Sequence, residues 1–419
     1  MTRIVRKFNR SRQKKAIVWL LPAFGQAVSS ASNALIPLAG ARFLDAESFG
    51  LLSLRYVGLQ FAIQLFRVGV GEPQLLTLRL SPNTEAYGPR TVAVAVGGLS
   101  LSYAVFATFT TDAHVLPSFI AALVILSAEH CRYQRLIRRD RSGAVAVDVI
   151  WLLALILIVG VGAGFNVHPG PDSLIYGWAA AAAPALLMWR RDPASARNGY
   201  GDRAKSVSVQ HVGMALLLST IISYGLATTI LVQLANNGGL DEVGNYRSAL
   251  LVFLPVQLLL PALSQSVVAS RATHHDGKAG FAVLAIGLCA VAALLAVTFL
   301  LPDRVGRLML GSNWAEAASI AAFAALAIAS WVARSAVTLF LRTRLRVFEL
   351  GIAEFIAFVA IFPYVLWSNF SSARSAAVIV AIAHAVFALS AISIARFTGP
   401  GIAQRDPPTT VLMDDKRAQ

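Results

Sequence analysis

Long runs of apolar residues without a charged side chain dominate this chain of 419 residues. Residues 91–110 (TVAVAVGGLSLSYAVFATFT) and 281–301 (FAVLAIGLCAVAALLAVTFLL) contain no Asp, Glu, Lys or Arg. A helix of about 18 or more apolar residues is long enough to cross the hydrocarbon core of a bilayer. Because backbone polar groups in lipid must hydrogen-bond within their own segment, each run is predicted to be a transmembrane helix.

The chain contains twelve segments of this kind, which predicts an all-α polytopic membrane protein. Only 14% of the residues are charged, against about 25% in soluble domains. A polar stretch at 189–210 separates six segments from six, so we predict an N-terminal six-helix bundle over 1–200 and a C-terminal bundle with a cytoplasmic tail over 201–419. The predicted spans are 16–39, 50–71, 91–110, 114–131, 144–165, 173–190, 211–235, 247–270, 279–301, 314–335, 347–367 and 374–396.

The distribution of basic residues predicts the orientation of these helices. The N-terminus, alternate connections and the C-terminal tail together hold about 30 of the 36 Lys and Arg residues. This asymmetry follows the positive-inside rule and predicts cytoplasmic termini for a multi-pass protein of the cytoplasmic (inner) membrane. The six basic residues left on the other side are Arg42, Arg55, Arg247, Arg304, Arg307 and Arg374.

A net charge of +15 raises the question of nucleic-acid binding, above all in the arginine-rich stretch 129–143. The basic residues are, however, spread over every inner connection, so no nucleic-acid partner is expected. We predict that this stretch marks the inner connection between helices four and five and contacts anionic membrane lipids. Glu129 and Asp148 flank it, and we predict that Glu129 pairs with Arg132 and Asp148 with an arginine of the stretch.

The cysteine and histidine residues predict neither a disulfide nor a metal site. Cys131 and Cys289 lie in different segments, and the adjacent His274 and His275 are predicted to be a solvated pair in an inner loop. No cofactor is expected, and no arrangement of side chains suggests a nucleophile with a base. The sequence therefore favours a protein that is not an enzyme.

Polar side chains form stripes on the first two predicted helices. Gln26, Ser30 and Asn33 share one face of helix one, while Gln60, Gln64 and Arg67 share one face of helix two. Arg55 lies nearer the outer end of helix two, and Arg247 begins helix eight. An Arg at mid-bilayer costs about 2.5–3.5 kcal/mol on insertion scales. These residues either hydrogen-bond between helices, with arginines reaching the interfaces, or line a hydrophilic, positively charged cavity.

Two outer connections carry similar sequences, which suggests that the halves are repeats. LDAESFGLLSLR (44–55) follows helix one, and LDEVGNYRSAL (240–250) follows helix seven. Both contain Leu-Asp, an acid, Gly and Arg before the next apolar run, although the match needs gaps. Internal repeats are common in secondary transporters, whose substrate sites lie between the repeats.

Three stretches resemble the MOP superfamily, which includes polysaccharide exporters, lipid II flippases and multidrug and toxin extrusion antiporters. The stretches are ARFLDAESFGLLSLRYV (41–57), EHCRYQRLIRRDRSGAVAVDVIWLL (129–153) and EVGNYRSALLV (242–252). The pattern is most similar to the polysaccharide branch, because the lipid II flippases usually have two more helices. The ion-coupled multidrug branch typically has an acid in helix one, which this sequence lacks.

The resemblance implies a flippase that moves an isoprenoid diphosphate-linked oligosaccharide from the inner to the outer leaflet by alternating access. Its expected partners are this lipid-linked oligosaccharide, membrane lipids and polysaccharide-assembly proteins. Arginine suits a diphosphate, and amide side chains suit sugar hydroxyls. We therefore predict that Arg55 and Arg67, and with them Arg247, bind the diphosphate, and that substituting Arg55 or Arg67 by Ala abolishes export. The predicted lining of the glycan path is Gln26, Asn33, Gln60 and Gln64.

Other classes of membrane protein remain alternatives. A major-facilitator transporter or a multidrug secondary transporter would share the number of spans, although the connection at 67–90 lacks the usual basic motif of the major-facilitator class. A membrane-embedded glycan polymerase would be expected to have a large outer loop, which this chain lacks.

Overall fold

A computed structural model describes residues 24–75, 87–138, 140–165, 169–188, 209–270, 278–343 and 346–397. The predicted linker up to residue 208, the basic N-terminus, Arg139 and the His274–His275 pair lie outside these residues. The described helices are α1 (24–43), α2 (Ala46–Phe66), α3 (Pro89–Thr111), α4 (Val115–Ile137), α5 (Arg141–Gly164), α6 (Pro171–Leu186), α7 (Val209–Gly238), α8 (Leu240–Val252), α9 (Leu254–Ser270), α10 (Lys278–Leu300), α11 (Asp303–Leu310), α12 (Trp314–Ser319), α13 (Ala321–Thr343), α14 (Val347–Trp367) and α15 (Ala373–Phe397).

The predicted fold class is confirmed, because every predicted span corresponds to a helix or to a broken pair of helices. Among the described residues, nine helices are long and apolar enough to cross a membrane, and the bent pair α8–α9 makes a tenth. The described part of α1 and the 16 residues of α6 account for the remaining two predicted spans. We refer to α1–α6 as the N lobe and to α7–α15 as the C lobe. By the predicted orientation, the outer end is the one at which α1 ends.

Three spans differ in detail from the prediction. The eighth bends by 63° between α8 and α9, where Pro255 has no N–H to continue the hydrogen bonds of α8 and is accommodated in the first turn of α9. The tenth is broken at Ile320, so that the short α12 precedes the main helix α13. Helix α4 continues to Ile137, six residues beyond the predicted end of the fourth span, which places Arg132 and Arg135 inside the helix.

The arginine-rich stretch 129–143 covers the end of α4 and the start of α5, and its described residues make hydrogen bonds where the two helices are connected. Arg135 donates to Asp140 Oδ2 at 2.7 Å and to the carbonyl of Met188 at 2.6 Å. Asp140 also accepts from the backbone N–H of Gly143 at 2.8 Å. The hydrogen bond from Arg135 and this N–H lower the pKa of the Asp140 carboxyl, so it stays ionised and holds the turn.

Helix α2 is the main contact between the lobes. It packs against α3 and α6 in its own lobe and against α7 and α8 in the other. It begins at Asp45, whose side chain accepts from Ser48 N at 2.8 Å as an N-cap. It then continues through a π-helical segment, Arg67–Gly71, to Leu75. The π segment also contacts α7, so α2 touches the C lobe along most of its length.

The two predicted repeat segments meet where α2 crosses α8. The backbone carbonyl of Leu240 lies against Gly50, and the carbonyl of Ala46 lies against Gly244, leaving no room for a Cβ at either glycine. The spacing from Ala46 to Leu240 and from Gly50 to Gly244 is the same 194 residues. The two contacts are therefore reciprocal, as expected if related segments pack around an approximate two-fold axis.

We predict that Gly50→Ala destabilises the protein. Alanine alone favours a helix by about 1 kcal/mol over glycine, but the added methyl group would overlap the Leu240 carbonyl and force the lobes apart. Thermal unfolding in detergent should show a lower Tm for this variant. The matched control is Gly98→Ala on α3, where a Cβ meets no atom within 4 Å. Equal Tm values for both variants would contradict the close crossing.

Candidate functional site

Arg67 is paired with a carboxylate inside the N lobe. Its Nε donates to Glu129 Oε2 at 3.2 Å, and its Nη2 donates to Glu129 Oε1. Arg67 is 8% exposed and Glu129 is fully buried. Glu129 thus makes its hydrogen bonds with Arg67 on α2, and its predicted partner Arg132 binds a different acid.

A second ion pair lies beside the first. Arg132 Nε donates to Asp148 Oδ2 at 2.9 Å, as predicted for an arginine of this stretch, and Arg132 Nη2 donates to Gln26 Oε1 at 3.3 Å. Gln26 in turn donates to Ser30 Oγ at 3.2 Å. Gln26, Arg132 and Asp148 are buried and join α1, α4 and α5, whereas Ser30 is partly exposed. The two arginines and two carboxylates neutralise each other within the N lobe.

Arg55 joins three helices near the outer end of the N lobe. Its Nε and Nη2 donate to the Oγ1 and the carbonyl of Thr111, each at 2.9 Å. Its Nη1 donates to Asp172 at the start of α6. The Asp172 side chain is 52% exposed, so this pair lies at the solvent-accessible outer end. It differs in this from the buried pairs Arg67–Glu129 and Arg132–Asp148.

Arg247 is the predicted site residue that has no carboxylate partner among the described residues. It lies on α8, which packs against α2, and its guanidinium carbon is 6.0 Å from the ring centre of Tyr56. Its Nε is buried and has no hydrogen-bond partner. Ser53 Oγ on α2 and Ser248 Oγ and Asn245 Oδ1 on α8 are also buried without partners. A buried polar atom left unpaired costs about 1–3 kcal/mol, so this crossing suits a polar ligand.

Tyr56 connects the side chain of Gln60 to the backbone of Asn33 at the same interface. Its hydroxyl donates to the carbonyl of Asn33 at 2.6 Å and accepts from Gln60 Nε2 at 2.9 Å. Gln64 lies one turn further along α2 and is partly exposed, as are Asn33 and Gln60. The structure thus divides the predicted site: Asn33, Gln60, Gln64 and Arg247 lie on elements at the lobe interface, whereas Gln26, Arg55 and Arg67 hydrogen-bond within the N lobe.

A third group of charged residues lies in the C lobe and was not predicted as a site. Arg334 on α13 donates to Glu354 on α14, and its Nη1 lies 3.1 Å from Nδ1 of His384 on α15. Guanidinium nitrogens only donate hydrogen bonds, so Nδ1 accepts and His384 is neutral with its proton on Nε2. These side chains line a small cavity of about 20 Å³ together with α7 residues that include Ser223.

The broken tenth span explains why this group was missed. A span over 314–335 places Arg334 at its inner end, where a basic residue is ordinary. In the structure α12 occupies the first six residues and α13 runs from 321 to 343, which moves Arg334 to the middle of the membrane. The predicted spans place Glu316 and Glu354 near helix ends, where both are expected to be solvated. Glu316 is exposed, but Glu354 is only 4% exposed and pairs with Arg334, so the expectation is wrong for Glu354.

The pairs Arg132–Asp148 and Arg334–Glu354 occupy corresponding places in the two lobes. Each joins the arginine of a fourth span to the acid of a fifth span, and both acids are the eighth residue of their helix. The surroundings differ, because the Arg67–Glu129 pair lies beside the first, whereas the second lines the cavity with His384. The charge pattern therefore repeats between the lobes, and the C-lobe pair has a small cavity beside it.

Comparison with known proteins identifies the fold. No family model matches the chain, and no curated protein matches it. An outward-facing multidrug resistance MATE family transporter of the MOP superfamily matches with 13% identity, 90% of this chain, 95% of that chain and a TM-score of 0.59. An inward-facing one matches with 16% identity, 90% of this chain, 98% of that chain and a TM-score of 0.55. The chain thus has the fold of MATE transporters of the MOP superfamily.

We predict opposite effects on stability for two buried arginines. Arg67→Met leaves the fully buried Glu129 without its partner, which should cost about 3–5 kcal/mol. Arg247→Met leaves no carboxylate unpaired among the described residues, so stability should be unchanged or higher. Thermal unfolding in detergent measures both, and the double variant Arg67→Met/Glu129→Met should recover most of the loss. A double variant as unstable as the single one would contradict a simple pair.

Proposed function

We propose that this protein is an alternating-access membrane transporter whose cargo crosses between the N lobe and the C lobe. The proposal is supported by its fold, which it shares with MATE structures in both inward-facing and outward-facing states. It is also supported by the lobe interface, where the main helix contacts are those of α2 with α7 and α8. Further contacts join the lobes at the outer end, through Asn313, and at the inner end, through Glu72 and Arg342. Two lobes that meet mainly along one helix can rock against each other without repacking either interior.

The cargo we propose is anionic, and Arg247 is the observation that carries this choice. Helices α1, α2, α7 and α8 contain four carboxylates among the described residues. Glu47, Asp241 and Glu242 lie at the outer ends, and Glu72 at the inner end pairs with Arg342 at 3.4 Å. Within the membrane, Arg247 is thus the interface charge that no described carboxylate balances. A phosphate group would balance it and satisfy its unpaired Nε.

The neighbouring side chains favour a cargo that also carries hydroxyl groups. Gln60, Gln64 and Asn33 can each donate and accept hydrogen bonds, and Tyr56 already links two of these residues. An isoprenoid diphosphate-linked oligosaccharide combines a diphosphate for Arg247 with sugars for the amides, while its tail stays in lipid. We therefore propose this class of cargo and its movement from the inner to the outer leaflet.

The roles of the other two arginines follow from their partners. An anion that binds Arg55 must displace Asp172, whose side chain is half-exposed and can be solvated when released. An anion that binds Arg67 must displace Glu129, which would leave this fully buried carboxylate unpaired at a large cost in free energy. We propose that Arg247 is the principal anchor, that Arg55 contributes at the outer end and that Arg67 stabilises the N lobe.

We expect Arg247→Gln to reduce export about 10- to 100-fold, since a charged hydrogen bond is worth about 1.5–3 kcal/mol. The measurement is the amount of lipid-linked oligosaccharide retained on the inner leaflet of cells that carry the variant. Arg247→Lys should recover part of the activity, because it keeps the charge but loses the bidentate fork. The control is Arg90→Gln at the exposed inner end of α3. Wild-type export by Arg247→Gln would refute the anchor, and unpolymerised glycan on the outer leaflet would indicate a polymerase instead.

Multidrug transport is the second candidate, and the C-lobe cavity favours it. The structures of similar fold are named as multidrug resistance transporters. Although the described part of α1 has no acid, the cavity offers the ionisable groups Glu354 and His384 beside α7. Proton exchange at these groups would give an ion-coupled exporter its energy source.

The two candidates predict different results for one variant pair. If the protein exports cationic drugs with proton coupling, Glu354→Gln should abolish extrusion of a cationic dye from proteoliposomes that carry a pH gradient, and Arg247→Gln should leave it intact. If the cargo is the anionic glycolipid, wild-type protein should extrude no dye. Dye extrusion that depends on Glu354 and not on Arg247 would replace the flippase proposal by the multidrug one.

A further inference from the structure

The segment 303–314, which we call the outer clasp, joins the lobes at their outer ends and has a distinct second face. It consists of α11, the turn 311–313 and Trp314, and it follows directly after α10. The turn packs on the end of α1, which belongs to the other lobe. One face of the clasp contacts the N lobe, and the opposite face is exposed.

The inner face of the clasp holds the N lobe by backbone contacts. Asn313 is 3% exposed, and its Nδ2 donates to the carbonyls of Ala41 and Leu44, each at 2.9 Å. These carbonyls lie at the end of α1, where carbonyls have no partner within the helix. Gly311 has φ +61°, and a Cβ there would lie 2.6 Å from the carbonyl of Arg42. The two lobes are therefore in direct backbone contact at this point.

The clasp is rigid because it packs on itself. The indole Nε1 of Trp314 donates to Asp303 Oδ1 at 3.2 Å, which connects the two ends of the segment. The ring of Trp314 lies against Gly306 so closely that no side chain fits there. Leu310 is buried on the same side. A displacement of α11 therefore also moves Asn313 and alters its contact with α1.

The other face of α11 is exposed and amphipathic. Leu308 is 68% exposed, Met309 49% and Val305 42%. Arg304 and Arg307, three residues apart, lie beside this apolar arc on the same helix. Exposed apolar side chains flanked by arginines are typical of a helix that lies in the membrane interface with its cations at the phosphate level.

The arginines of this surface have charge available for a ligand. Arg42 reaches across from the N lobe and donates to the carbonyl of Arg307 at 3.3 Å, so it lies beside α11. Of the six basic residues on the outer side, these three surround the clasp, whereas Arg55 and Arg247 lie inside the protein. The adjoining carboxylates are Asp45, which caps α2, Asp303, which binds Trp314, and the exposed Glu47.

We propose that Arg42, Arg304 and Arg307 bind anionic phospholipid headgroups of the outer leaflet, and that this contact keeps the outer clasp closed on the N lobe. A phosphate between Arg42 and the arginines of α11 bridges the two lobes and keeps Asn313 seated on the end of α1. The consequence for gating rests on the proposed transport function, whereas the lipid contact itself does not.

The test measures the distance between the lobes at their outer ends in two kinds of lipid. Spin labels are placed at Ser173→Cys on α6 and Ala315→Cys on α12, both exposed and outside the lobe contact, after replacing Cys131 and Cys289. The full-length protein is compared in nanodiscs of phosphatidylcholine with and without phosphatidylglycerol. We expect one short distance with the anionic lipid, and an additional longer population without it.

Variants identify the residues responsible. Arg304→Gln/Arg307→Gln in anionic lipid should reproduce the longer population, whereas Arg374→Gln, another exposed outer arginine, should not. Asn313→Leu should show the longer population in both lipids. The proposal is overturned if the distance distribution is the same with and without phosphatidylglycerol. It is also overturned if Arg304→Gln/Arg307→Gln gives the wild-type distribution in anionic lipid. If the wild-type protein does not export the proposed cargo but its distances still depend on lipid charge, the transport proposal is wrong and the lipid proposal stands.

Discussion

Charged groups within the bilayer must be neutralised, and this requirement organises both lobes. An isolated ion in a low-dielectric interior is penalised by several kcal/mol, and the described structure meets this cost with ion pairs between helices. Arg67 with Glu129 joins α2 to α4, Arg132 with Asp148 joins α4 to α5, and Arg334 with Glu354 joins α13 to α14. Each pair connects helices within one lobe, so the lobes are internally cross-linked units.

The lobe interface follows a different rule. At the crossing of α2 and α8 the contacts are between backbones, at Gly50 and Gly244. The buried polar groups of this crossing are incompletely paired, most clearly at Arg247. Four buried side-chain atoms without a partner lie together at this crossing, Ser53 Oγ, Asn245 Oδ1, Arg247 Nε and Ser248 Oγ, whereas others such as Trp178 Nε1 lie singly elsewhere. This grouping of unpaired polar atoms is the physical reason for proposing a cargo path between the lobes.

The sequence predicts the helices better than it predicts the side-chain partners. Span length depends on local composition, so each predicted span corresponds to a described helix or to a broken pair, and nine helices with one bent pair are long and apolar enough to cross a membrane among the described residues. The repeat segments at 44–55 and 240–250 pack together. Which carboxylate meets Arg67 depends on how α2 and α4 are rotated, and composition does not encode this. Arg334 was missed for a related reason: the break at Ile320 has no strong signal, and without it the residue lies at a helix end. The amphipathic α11 was too short to be distinguished from a loop.

The type of contact between the lobes also determines how easily they can separate. Breaking a buried ion pair by separating its members would expose two charges to lipid, but no such pair spans the lobes deep in the membrane among the described residues. The pair that does, Glu72 with Arg342, is at the inner end with side chains 28% and 36% exposed, so water can solvate both when it opens. The outer contacts are neutral hydrogen bonds from Asn313 to the carbonyls of Ala41 and Leu44, and a longer, exposed hydrogen bond from Arg42 to the carbonyl of Arg307. Because the strong electrostatic links lie within lobes and the weaker ones between them, rigid-body movement of the lobes is the least costly deformation of this fold.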